Sequence, residues 1–120
     1  MRTLIDHIVE GDSADHQLRI EIMDEPGAGG ANHKYLVSAP SSVHLAVNFQ
    51  DGPIREAGVN GVTQEVLLAI VIDRLRSFQA GSYACESNQQ ALTACRSALG
   101  HLQARTRARI QRGVEGTNQK

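Results

Sequence analysis

The chain has no tryptophan, two phenylalanines, two tyrosines, two cysteines and a formal net charge of only −1 over 120 residues. Each scarcity removes a class of protein. With aromatics at 3%, the core must be aliphatic, and Tyr35, Phe49, Phe78 and Tyr83 each need a reason of their own. Cys85 and Cys95 have no CxxC and no paired histidine spacing, so neither a zinc site nor a disulfide framework is expected. Both read as reduced thiols in or beside the core. A near-neutral chain is ill suited to a nucleic-acid polymer, whose binding rests on many neutralised phosphates. No stretch of eighteen apolar residues occurs, and MRTLIDHIVEGD lacks a basic start followed by a continuous apolar run. That predicts no membrane partner and a cytoplasmic protein. Among His7, His16, His33, His44 and His101 there is no i, i+4 pair and no metal-ligand spacing. The serines lack a nucleophile elbow, and Asp51, Glu56, Asp73 and Glu86 offer no pair with a reason to share a cleft. No metal, cofactor or turnover is called for, so the expectation is a protein that is not an enzyme.

What is present suits one domain, able to bury roughly two-thirds of the surface its unfolded chain exposes. Residues 1–16 fit a short helix or a peripheral strand equally well. From Gln17 to Met23, Leu18, Ile20 and Ile22 alternate with Arg19 and Glu21, the period of a half-buried strand. DEPGAGGAN, residues 24–32, has too many breakers for a regular element and lacks the Lys and Ser/Thr of a phosphate loop, so it reads as a connector. HKYLVS returns as a strand, and Val43, Leu45, Val47 and Phe49 alternate in the next. QDGP is a turn, IREAGVNG a short further strand ending at the Asn60–Gly61 turn, and the sheet should have four or five strands.

The period then changes to that of a helix. Thr63 can cap a helix through TQEVLLAIVIDRLRSFQ, with Gly81 past its last turn. Val66 to Ile72 is apolar all round, so this helix needs cover on more than one side. A short connection leads to a second helix, Glu86 to Arg112, giving an antiparallel hairpin ended by Gly-Val-Glu-Gly. The fold class is therefore α+β: an antiparallel sheet over 1–61 packed on a helical hairpin over 62–113, with 114–120 as a tail.

The last stretch of that hairpin, RTRARIQR, concentrates cationic charge. At about 100° per residue Arg105, Arg109 and Arg112 share one side of the helix, bordering the seam of Leu92, Cys95, Leu99 and Leu102. Guanidiniums held there suit phosphate or carboxylate oxygens, although basic residues also complement many helix ends. At the other end, Phe78 and Asn88 sit at the hairpin tip. A ring there is core or a platform for a base, and Tyr83 has the same choice. Asn88 falls on the face of Leu92 and Leu99, and its amide is satisfied either by the turn backbone at residues 81–84 or by a ligand. Two functions fit this chemistry: a binding module for a small anionic, base-bearing ligand, and an oligomeric scaffold whose arginines bridge subunits.

The run NFQDGPIREAGVNGVTQEVLLAIVIDRLRSFQAG, the tip SYACESNQQAL and the ending RTRARIQRGVEGT, with DEPGAGGANH upstream, resemble the phage Thoeris anti-defence proteins, the signal-sponge type carrying a helical-hairpin domain. The resemblance covers Gln17 to Thr117. It implies a protein of the host bacterial cytoplasm that sequesters the glycocyclic ADP-ribose signal without degrading it, some members also taking up cyclic di- and trinucleotides. It implies ligand binding by Phe78, Asn88, Arg105 and Arg109, with Tyr83 and Arg112 as further candidates. A second surface, for cyclic trinucleotides, is expected around Arg55 and the turn from Gly58 to Gly61. One departure stands out: Ser82-Tyr83 replaces the Pro-Phe usual at the tip. Asn88 and Arg105, seventeen residues apart, lie about 25 Å apart at 1.5 Å per residue, too far for one nucleotide. The expected unit is a homodimer at minimum, the tip of one chain meeting the arginines of the other, with a hexamer, a trimer of dimers, as the larger form.

Overall fold

The computed structural model describes residues 2–11 and 17–117, which divide into two compact units, Met1–Val62 and Thr63–Lys120. The class is α+β. In the first unit β1 (Arg2–Leu4), β2 (Arg19–Ile22), β3 (Lys34–Ala39) and β4 (Ser42–Asn48) form one sheet in the order β1-β2-β3-β4. All three pairings are antiparallel. The segment that fitted helix or strand thus begins as the edge strand, while 12–16 and the tail beyond Thr117 lie outside the described residues.

The alternation read in β2 has its expected result: Ile22 is 1% exposed and Ile20 half-buried, while Arg19 and Glu21 pair at 3.8 Å on the opposite side. In β4 it fails part-way. Val37 pairs with Leu45 but Ser38 with Val43, so His44 is an extra residue and the strand bulges. Val47 remains buried whereas Leu45 and Val43 are exposed.

IREAGVNG forms no strand. Pro53, at φ −67°, opens a single helical turn, α1 (Ile54–Ala57), in which the Glu56 and Ala57 amides donate to the Pro53 carbonyl. Proline's fixed φ suits a helix start, and Ile54 and Val59 are both exposed, so no sheet face demands them. The chain returns at Val62, which bridges Phe49 in parallel, with Val62 N donating to Asn48 O at 2.8 Å and Gln50 N to Val62 O at 2.9 Å. Gly61 is required by that approach: a Cβ there would meet Asn48 O at 2.5 Å.

The second unit is a helical hairpin of α2 (Gln64–Gln79) and α3 (Glu86–Gln111). Thr63 Oγ1 accepts from Val66 N, as its capping position predicts. Ile72 and Leu92 are the buried aliphatics of the two helices. The wider apolar girdle of α2 is uncovered in the single chain: Val66, Ile70 and Val71 are 45%, 60% and 43% exposed. Past α3, Gly113 (φ 74°) donates to Ile110 O and Val114 N to Arg109 O, the paired bonds of a glycine-terminated helix end. Val114 is thereby turned inward and buried.

The thiols depart from expectation. Cys95 is half-buried, but Cys85 is exposed and caps α3, its Sγ accepting from Asn88 N at 3.4 Å.

Candidate functional site

The tip of the hairpin is assembled by side chains from both helices. Gln79, the last residue of α2, accepts from Cys85 N at 3.0 Å and donates to Gln89 Oε1 at 3.4 Å, tying the connection to both arms. Asn88, in the first turn of α3, donates through Nδ2 to Tyr83 O at 3.2 Å. Of the two partners open to that amide from sequence, the turn backbone is the one it has here, leaving Oδ1 as its acceptor. The side chains of Gln79 and Asn88 thus restrain the loop that carries Ser82 and Tyr83.

The same turn gathers the aromatics. Phe78 and Tyr83 rings lie 6.0 Å apart, tilted by 50°. Phe78 is half-buried and Tyr83 is 74% exposed, so the pair forms a partly open, angled aromatic surface at the turn to which the Asn88 amide bonds. Arg74, one turn before Phe78, places its guanidinium carbon 4.9 Å from the Phe78 centroid. Sequence reasoning missed Arg74 and Gln79; the i, i+4 spacing of Arg74 and Phe78 was the available signal.

The three candidate arginines near the end of α3, Arg105, Arg109 and Arg112, are not equivalent. Arg105 is exposed. Arg109 is 8% exposed: its Nη2 donates to Val114 O and Thr117 O, both at 3.0 Å, and its Nε pairs with Glu115 at 3.5 Å. It does not border a packed surface, as the stripe predicted, but forms part of one, because the Gly113 turn folds residues 114–117 back over it. Thr117 Oγ1 completes the turn by donating to Val114 O. Arg112 is exposed, at the C-cap of α3. The structure therefore brings Phe78, Tyr83 and Asn88 together at one end of the hairpin and Arg105, Arg109 and Arg112 at the other. Asn88 and Arg105 share the uninterrupted α3, so about 25 Å of helix separates them.

Arg55 and Gly61 belong to the sheet unit. Arg55 is exposed on α1, and Gly61 is accounted for by its packing on the end of β4. Beneath that turn His33, Lys34, Asn48, Phe49, Asp51 and Asn60 line an open cleft of about 210 Å³. His33 is 7% exposed with Nε2 3.9 Å from Asp51, and its Nδ1 has no hydrogen-bond partner. Asp24 accepts from His33 N at 3.0 Å and Lys34 N at 3.2 Å. Desolvation pushes the Asp24 carboxyl up, but those two bonds, the Asn32 amide and the charge of His33 together hold it below its ordinary value. Among the described residues no cluster of three His, Cys, Asp or Glu could hold a metal ion, and no helix is long and apolar enough to cross a membrane.

A family model described as the Acb2/Tad1 hairpin domain matches residues 41–107, from β4 through both arms of the hairpin. The chain belongs to this family. Phe78, Tyr83, Asn88 and Arg105 fall inside the matched segment, and Arg109 two residues beyond it. A protein of Bacillus phage SBSphiJ7 named Thoeris anti-defense 1 is 46% identical over 94 residues, a stretch that takes in 78% of this chain and 66% of that one. The match thus spans just under two thirds of the relative's length.

Proposed function

We propose that this chain counteracts Thoeris immunity in the host bacterial cytoplasm by binding the glycocyclic ADP-ribose signal and holding it intact, out of reach of its effector. The observation that carries this reading is the 46% identity to the phage protein named Thoeris anti-defense 1, together with the family match over the segment whose hairpin tip gathers Phe78, Tyr83 and Asn88. The roles follow from the chemistry. Phe78 stacks a base, with Tyr83 extending the platform, and Asn88 Oδ1 accepts from a base N–H. Arg105 supplies a charge-assisted hydrogen bond to pyrophosphate. Arg109 sets the shape of the helix end from which Arg105 reaches and meets the ligand there, with Arg112 beyond it. Arg109's ion pair with Glu115 of its own chain speaks against the scaffold alternative, in which these arginines bridge subunits.

Because α3 keeps tip and arginines about 25 Å apart, the pocket is composite: a homodimer with antiparallel α3 helices brings the tip of each chain to the arginines of the other. The uncovered Val66, Ile70 and Val71 favour self-association, and a trimer of dimers is the larger assembly. Cyclic trinucleotides are second ligands at Arg55 and the turn from Gly58 to Gly61; since Gly61 already has a packing reason, Arg55 carries that assignment.

The test is to load purified protein with glycocyclic ADP-ribose, remove free ligand, denature by heat and analyse what is released. Intact signal, identified by mass and still able to activate a Thoeris effector, is expected. A cleaved product would make the protein an enzyme, and no retained signal would remove the sponge reading.

A further inference from the structure

Arg74 is the cation of α2 left over from its carboxylates. Its neighbour Arg76 pairs with Asp73 at 3.7 Å, whereas the guanidinium of Arg74 lies over the Phe78 ring, 4.9 Å from the centroid. Among the described residues Arg74 has no ion pair with Asp or Glu. The position follows from sequence: residues four apart on a helix are stacked neighbours, so Arg74 projects toward the ring one turn closer to the tip. Tyr83 leans on the same ring from the connection. The tip therefore presents a flat ring, a second ring tilted beside it, and a planar cation, all within one turn of α2.

An exposed guanidinium on an aromatic face is weakly held, because it stays hydrated on its outer side. It is also the group best shaped for an anionic oxygen pair or for stacking on a base. A contact that is easily exchanged, at the place a flat ligand would occupy, is suited to handing over from ring to ligand. We propose that Arg74 is a further binding residue of the tip, leaving the Phe78 ring for an anionic group of the ligand when a base stacks there. This rests on the binding reading above. The ligand class is thereby narrowed: a base alone satisfies Phe78 and Asn88, but only a ligand with phosphate close to its base satisfies Arg74 as well.

Arg74→Met keeps the stem on the ring and removes the charge, while Arg74→Lys restores charge without the planar fork. Each is titrated with glycocyclic ADP-ribose at low and at high salt, beside the unsubstituted protein, with melting curves as a control for folding. Arg74→Met is expected to bind about tenfold more weakly at low salt and to lose affinity less steeply as salt is raised, since one screened charge contact has gone. Arg74→Lys should recover part of both. Unchanged affinity and salt dependence in Arg74→Met, or tighter binding because the guanidinium merely obstructs the ring, overturns the proposal while the unsubstituted protein still binds. If the unsubstituted protein does not bind the probe, the reading beneath it falls too. A lowered melting temperature with unaltered salt dependence would make Arg74 a structural residue and overturn its binding role.

Discussion

Two arginines one helical turn apart carry the same charge and do different work. Arg105 is exposed, and its truncation leaves nothing buried without a partner. Arg109 fills space under the C-terminal turn and supplies hydrogen bonds to two carbonyls. Removing it takes away both hydrogen bonds and the Glu115 ion pair. Val114 O keeps its Thr117 donors, so the loss is that of the packed side chain and its bonds to the turn, on the order of 1–3 kcal/mol in all. Arg109→Ala should therefore lower the melting temperature by several degrees, while Arg105→Ala leaves the melt nearly unmoved and weakens ligand binding by about 1.5–3 kcal/mol. Thermal melts paired with ligand titrations check this; equal melts for the two variants would remove the structural role given to Arg109. The difference was partly legible in sequence. At about 100° per residue Arg109 projects roughly 20° from Leu102 and Arg105 roughly 60°, so Arg109 lies nearer the seam. What the projection lacked was the lid, residues 114–117, which belongs to no helix face.

At the scale of the element, the glycine-rich connector between β2 and β3 is held at its two ends by one carboxylate. Asp24 receives the amides of His33 and Lys34 just where β3 begins. Its carboxyl titrates below the ordinary 3.8. A depressed folded-state pKa means that Asp24's contribution is fully present above the unfolded value and is lost as pH falls through the folded one. The expected result is an Asp24 carboxyl midpoint below 3.8, followed by nuclear magnetic resonance. The His33 and Lys34 amide shifts should move with the same midpoint, and Asp24→Asn should abolish that acid-side change. A midpoint at or above the ordinary value would show that the anchor is not formed in solution. Periodicity located the connector but not its anchor, because a hydrogen bond between residues nine positions apart leaves no periodic trace. The segment after QDGP was misread for a related reason: Pro53 starts a helical turn, and a β-like composition over eight residues says little once proline has fixed the entry.

For the whole molecule, the decisive quantity is the length of α3. If tip and arginines serve one ligand, they must come from different chains. Phe78→Ala homodimers and Arg105→Ala homodimers should each fail to bind, since every pocket lacks one wall. In a heterodimer of the two, one pocket combines the intact tip of the Arg105→Ala chain with the intact arginines of the Phe78→Ala chain, and the other collects both defects. Titration of isolated heterodimer should recover one near-normal site per dimer, against two in the unsubstituted protein. A heterodimer that stays folded and dimeric yet binds nothing would place the pocket within one chain.

Local chemistry was enough to determine β2, β3 and β4 followed by two long helices, the Thr63 cap, the hairpin connection and the GVEG stop, because each depends on residues within a few positions of one another. The family motifs also lie along the chain and could be read there. Tertiary structure alone decided three things that depend on distant groups. The bulge at His44 arises from pairing with β3 and breaks the alternation between Leu45 and Val43. Gly61 answers to the backbone of β4 more than ten residues away. Arg109 became part of the packed interior only because the chain beyond α3 turns back over it, and a helical projection contains no information about a segment that has left the helix.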